Sequence, residues 1–69
     1  MTNPKLWIWI DCSYFVGVFD LSSNYTINAA PLIARWTIGK HIDYVLSYFR
    51  RKSQLNDWIL FKNGEVVKV

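Results

Sequence analysis

This chain has almost nothing with which to hold a metal or cross-link itself. Its 69 residues include one cysteine, Cys12, and one histidine, His41. An internal disulfide needs two thiols and a structural zinc needs a Cys/His cluster, so both staples are excluded. Carboxylates are scarce as well: Asp11, Asp20, Asp43, Asp57 and Glu65 are the only five. No two of them have a spacing suited to paired acid–base work. A Cys12–His41 nucleophile pair would have to meet in space. Cys12 reads more simply as a small core filler, and His41 as a surface residue at a helix start. The expectation is a protein that is not an enzyme and carries no cofactor. Long apolar runs are missing too. Leu6–Phe19 is interrupted by Asp11 and is too short to span a bilayer, and no small-residue cleavage site follows it. Neither membrane nor export is expected, and a lone thiol suits a reducing cytoplasm.

What the chain does have is apolar and aromatic surface. Hydrophobic residues make up 52% and aromatics 17%, with four Trp, four Tyr and four Phe. A single domain this small has little interior, and these rings exceed what 8.2 kDa can enclose. Some aromatic surface must therefore face solvent or another protein. Small domains usually add a disulfide, a metal or a second subunit. With the first two excluded, a homodimer is expected. The net charge of +3 is unevenly spread. Between residues 35 and 52, Arg35, Lys40, Arg50, Arg51 and Lys52 oppose only Asp43, a local +4. An anionic partner fits that asymmetry: nucleic acid, a nucleotide or an acidic protein face.

The pattern reads as one domain over 1–69, with residues 1–4 a flexible tail. Leu6–Ile10 is a strand apolar on both faces, with Trp7 and Trp9 on one of them. Asp11–Ser13 is a candidate turn. Tyr14–Leu21 is a second strand, in which Gly17 marks a bulge or a close approach. Ser22-Ser23-Asn24 suits a turn, and Tyr25–Asn28 a short returning strand. Pro31 sits well in the first turn of a helix over Leu32–Ile38, which Gly39 would end. The main helix runs from Lys40 or His41 to Lys52. Its Ile42, Val45, Leu46 and Phe49 fall at i, i+3, i+4 and i+7, one buried stripe. Ser53–Asp57 reads as a polar connector. Trp58–Val69 is a hairpin around Asn63-Gly64, the preferred type I′ pair, with Lys62 facing Glu65 as a cross-strand ion pair. The order β-β-β-α-α-β-β implies an α+β domain, an antiparallel sheet of four or five strands carrying both helices on one face.

Four candidate sites follow. The outer face of the main helix carries Lys40, Tyr44, Tyr48 and Arg51, with the tyrosines one turn apart. Aromatics interleaved with cations can stack on a partner while the charges meet carboxylates or phosphates. The bland alternative is a solvated helix face. Arg50, Arg51 and Lys52 suit the helix dipole, and in a nucleic-acid binder they would position phosphates without reading sequence. The Ala29-Ala30-Pro31 helix entry with Arg35 and Lys40 could take a small anion. Gly39-Lys40 is not a Walker loop, since the upstream glycine and the following Ser/Thr are missing. The packing alternative has Trp36 plugging the core. Trp7 and Trp9 are either core or the anchors of a subunit or target interface.

The strings Tyr14-Phe-Val-Gly-Val18, Ala29-Ala-Pro-Leu-Ile-Ala-Arg-Trp-Thr-Ile-Gly-Lys40 and Val45-Leu-Ser-Tyr-Phe-Arg-Arg-Lys52 resemble short uncharacterised proteins encoded by bacteriophages. The resemblance covers residues 14–52, about half the chain, and Ser53 stands where a glycine is expected. It implies an accessory factor in the host cytoplasm that binds a host protein, antiviral defence included, and inhibits or redirects it. No residue roles come with it.

Overall fold

The computed structural model describes residues 5–68, so the expected tail at 1–4 lies outside the described residues. Five strands and one α-helix follow each other in the expected order. They are β1 (Leu6–Cys12), β2 (Val16–Leu21), β3 (Ile27–Ala29), a 3-10 segment (Leu32–Thr37), α1 (Ile42–Lys52), β4 (Leu55–Lys62) and β5 (Glu65–Lys68). All strands form one sheet in the order β3-β2-β1-β4-β5, and every neighbouring pair is antiparallel. The protein is a small α+β domain with the helical elements on one side of the sheet.

Alternation along β1 decides which side. Leu6, Ile8, Ile10 and Cys12 are buried, whereas Trp7, Trp9 and Asp11 are only partly so. The buried row meets Phe19, Leu21 and Ile27 from the neighbouring strands and Ile42, Val45, Leu46 and Phe49 from α1. The helical stripe read from sequence is therefore the one that packs. Each such aliphatic or aromatic side chain taken fully out of water contributes about 1.5–3 kcal/mol.

Hydrogen bonds fix the direction of α1. At its start Gly39 N–H donates to Ile27 O, and Ile42 N–H to Tyr25 O, both at 2.9 Å. At its end Ser13 N–H donates to Ser53 O at 3.3 Å. The helix thus runs alongside β1, from the Leu6 end towards the Cys12 end. His41 is its N-cap: the ring Nδ1 accepts from Asp43 N–H at 3.1 Å. Gly17 is a close approach and not a bulge. It sits in regular register opposite Ile10, and a Cβ placed on it would come 2.5 Å from Pro31 Cγ.

The structure corrects several expectations. The first turn falls later, because Cys12 and Phe15 exchange backbone hydrogen bonds around Ser13-Tyr14. Tyr14 therefore belongs to that turn and not to the second strand. The expected connector over 53–57 is half strand: Leu55 and Asp57 pair with Cys12 and Asp11 in β4. The first helix is a 3-10 segment interrupted at Ala34 (φ −119°, ψ 26°). Asn63 and Gly64 both take positive φ, 54° and 86°, as a type I′ turn requires. Lys62 and Glu65 do face each other, yet among the described residues the ion-pair contact within 4 Å is His41–Asp43. The hairpin tip is held instead by Lys5, whose N–H donates to Asn63 Oδ1 at 3.0 Å, while Asn63 N–H donates to Lys5 O at 2.8 Å.

Candidate functional site

The outer side of α1 does not form the single tyrosine stripe that its spacing suggests. Tyr44 is half exposed, with the Lys40 ammonium 5.6 Å above its ring, a cation–π contact. Tyr48 turns away towards the 3-10 segment. Its ring meets Trp36 edge-on at 4.5 Å, and Trp36 in turn stands 6.1 Å from Phe49. Trp36 thus caps the core from outside and keeps 43% of its surface exposed, where the packing reading had placed it inside. Arg51 folds back on its own helix, Nε donating to Ser47 O at 3.3 Å. Arg50, Arg51 and Lys52 are all exposed.

Beside this aromatic group lie apolar side chains that sequence reasoning missed as surface. Leu32 is 79% exposed, and Ile33 and Ile38 are exposed as well. A 3-10 turn has three residues per turn, and here Ala34 and Thr37, three apart, point inward. The residues between them are left outside. The Thr37 hydroxyl donates to Ala34 O at 2.7 Å and is thereby satisfied in the core. The recoverable signal was the Ala34/Thr37 spacing, which puts small and polar residues inside and large apolar ones out. The anion reading loses its helix entry: Arg35 and Lys40 are exposed, but the segment following Pro31 is this short kinked turn.

The second candidate surface is the face of the sheet opposite α1. Antiparallel register puts directly opposed residues on one face, so Trp7 lines up with Asp20 and Phe61, Trp9 with Val18 and Ile59, and Asp11 with Val16 and Asp57. Trp7 stacks flat on Phe61, ring centres 4.0 Å apart and 7° from parallel. Val16 and Val18 are exposed, and Val66 continues the surface onto β5. A shallow depression of about 400 Å³ opens there between Lys5, Trp7, Val18 and Asp20. Trp7 and Trp9 are thus outside the helix-covered core, half buried by each other's row. Asp11 and Asp57 form a directly opposed like-charged pair, an unfavourable arrangement.

Cys12 and His41 do not meet. His41 bridges to Thr26, next to the Leu6 end of β1, whereas Cys12 ends that strand about 20 Å away at roughly 3.3 Å per residue. Burial pushes the Cys12 thiol pKa up, and the neighbouring Asp11 adds to the shift. That is the opposite of nucleophile activation. Among the described residues no group of three or more His, Cys, Asp or Glu side chains is placed to hold a metal. No helix there is long and apolar enough to cross a membrane. No protein family, curated protein or solved structure matches the chain.

Proposed function

We propose that this is a non-enzymatic interaction protein that binds a host protein stoichiometrically and blocks or redirects it, in the manner of a phage accessory factor. The observation that carries the reading is where the aromatic surplus lies. The exposed Trp36 meets the half-buried Tyr48 edge-on beside the exposed Leu32 and Ile33, next to Tyr44 under Lys40. Large rings in an apolar patch rimmed by cations are the usual anchors of a protein interface. The contacts are Lys40, Tyr44, Tyr48 and Arg51, extended by Trp36, and an acidic rim on the target would complement them.

The test is a tagged pull-down from the host, with half the eluate treated with nuclease before mass spectrometry. A protein partner retained at near-equal stoichiometry after nuclease is expected. Alanine at both Tyr44 and Tyr48 should weaken its capture at least about tenfold, the loss of one interface anchor. Undiminished capture by a folded double variant would refute the site.

One observation favours a second reading, nucleic-acid binding. Arg50, Arg51 and Lys52 are exposed, with no carboxylate in ion-pair contact among the described residues. In that case log affinity should fall linearly and steeply with log salt. A weak salt dependence would exclude it.

A further inference from the structure

Trp7 has one ring face covered and the other open. Its flat stack on Phe61, with ring centres 4.0 Å apart, covers the face turned towards β4, where Phe61 is its directly opposed neighbour. The other face looks towards β2, where Asp20 is directly opposed and Val18 lies on the diagonal. On that side opens the depression of about 400 Å³ lined by Lys5, Trp7, Val18 and Asp20. We propose that this depression binds the guanine ring of a mononucleotide. The base stacks on Trp7, its donor edge meets the Asp20 carboxylate, and its phosphate meets the Lys5 ammonium.

The lining selects this chemistry. An indole face is a platform for any planar base, and Phe61 holds this one upright from behind. Lys5 and Asp20 are both exposed, and among the described residues they make no ion pair with each other or with another group. Both charges are therefore open to a ligand. A lone cation would be drawn to Asp20 and repelled by Lys5, and a lone anion would meet the reverse. A ligand with donors at one end and a negative group at the other satisfies both. Lys5 stands two residues before Trp7, diagonal to Asp20, so their backbones lie about 7–8 Å apart and leave a ring's width between the two charges. An ionised carboxylate only accepts hydrogen bonds. The Watson–Crick edge of guanine offers it two adjacent donors, N1–H and the 2-amino group, in the forked arrangement that carboxylates bind best. Adenine and cytosine set one amino donor beside a ring-nitrogen acceptor, and uracil sets its N–H between two carbonyls, so each brings a lone pair against Asp20. The volume suits a small ligand. The rest of the face excludes a longer strand, because Asp11 and Asp57 follow Trp9 on it and further phosphates would meet those carboxylates. The site lies across the sheet from Trp36 and Tyr44, so it is separate from the target-binding reading and stands or falls independently.

Two-dimensional NMR of the full chain tests it, following the four indole N–H signals during titration with guanosine 5′-monophosphate up to about 5 mM, a range that covers weak affinities. The Trp7 signal, assigned by its loss in Trp7→Phe, should move and saturate. Adenosine 5′-monophosphate should bind at least about tenfold more weakly, having lost a hydrogen bond to a charged group. Asp20→Asn should remove that preference, which a merely structural change would not do. Lys5→Ala should weaken the nucleotide and leave guanosine unchanged. Trp7→Ala should weaken both at least about tenfold by removing the stack. Val18→Glu, at a half-exposed site, serves if that variant misfolds, since it fills the depression with a charge like that of the phosphate. A Trp7 signal that stays still over the whole range overturns the proposal. So does equal affinity for the two nucleotides, or a guanine preference that survives Asp20→Asn. A guanine-containing single strand that binds more than about tenfold tighter than the mononucleotide also overturns it and gives the face to nucleic acid.

Discussion

Gly17→Ala should destabilise this protein far more than a glycine-to-alanine change in a strand ordinarily does, and Pro31→Ala should cancel the effect. A new Cβ at position 17 would stand 2.5 Å from Pro31 Cγ, about 1 Å inside a normal carbon–carbon contact. Proline is a rigid ring, and Pro31 O is engaged by Ala34 N–H at 2.9 Å, so the neighbour cannot simply swing away. Forced overpacking costs about 1–3 kcal/mol. Alanine recovers about 0.4–1 kcal/mol by restricting the unfolded chain. The net is a loss of about 1–2 kcal/mol. With about 2.1 cal/mol/K of unfolding entropy per residue, 69 residues convert that into a fall in Tm of roughly 7–14 °C. Pro31→Ala removes Cγ and leaves Cβ, which sits at an ordinary 3.6 Å from the new methyl. In that background Gly17→Ala should be neutral or slightly stabilising. Urea denaturation of the four proteins gives the coupling energy directly. Equal costs in both backgrounds, or a single variant as stable as wild type, would show that the crossover of residues 30–31 does not press on β2 as described.

Three further outcomes are expected. Asn63→Ala should cost about 1–2 kcal/mol in denaturant melts, because alanine at φ 54° lacks the polar side chain that lets asparagine tolerate the left-handed region, and because it removes the acceptor for Lys5 N–H; Asn63→Gly should cost less. Tyr48→Ala should cost about 2 kcal/mol by opening the contact with Trp36, while Tyr44→Ala, which loses only an exposed cation–π contact, should cost less than about 1 kcal/mol. The Cys12 thiol should alkylate much more slowly in the folded protein than in urea. Its raised pKa means that the unfolded chain ionises first, so this thiol's share of stability is full below the ordinary thiol range and fades as pH rises through the folded value. Equal alkylation rates in the two states would contradict the burial.

Wherever one short-range rule decided an element, that element was legible in the sequence. The 3.6-residue stripe of Ile42, Val45, Leu46 and Phe49 is the packed face of α1, and Asn63-Gly64 turns the hairpin. Boundaries failed where tertiary pairing overrode local polarity. Asn56 and Asp57 look like loop residues, but β1 extends to Cys12 and offers its backbone to Leu55 and Asp57. The helical surface misled for a related reason. Spacing places Tyr44 and Tyr48 one turn apart, yet which neighbour a ring chooses depends on what lies beside the helix. Trp36 arrives there only because the 3-10 turn spends Ala34 and Thr37 on the core.

The open sheet face was beyond sequence for a stricter reason. Leu6–Ile10 is apolar at every position, so alternation alone cannot say which row the helix covers. Ile8 and Ile10 are fully buried while Trp7 and Trp9 are half exposed, and that follows from β2, where Phe19 and Leu21 must share a face with the even-numbered residues of β1. Once that parity is set, register converts sequence spacing into spatial neighbours, and Lys5, Trp7, Val18 and Asp20 come to line one depression. β4 then places Asp57 opposite Asp11, a pairing of like charges that no local spacing in the sequence announces, because it exists only once the two distant strands are in register.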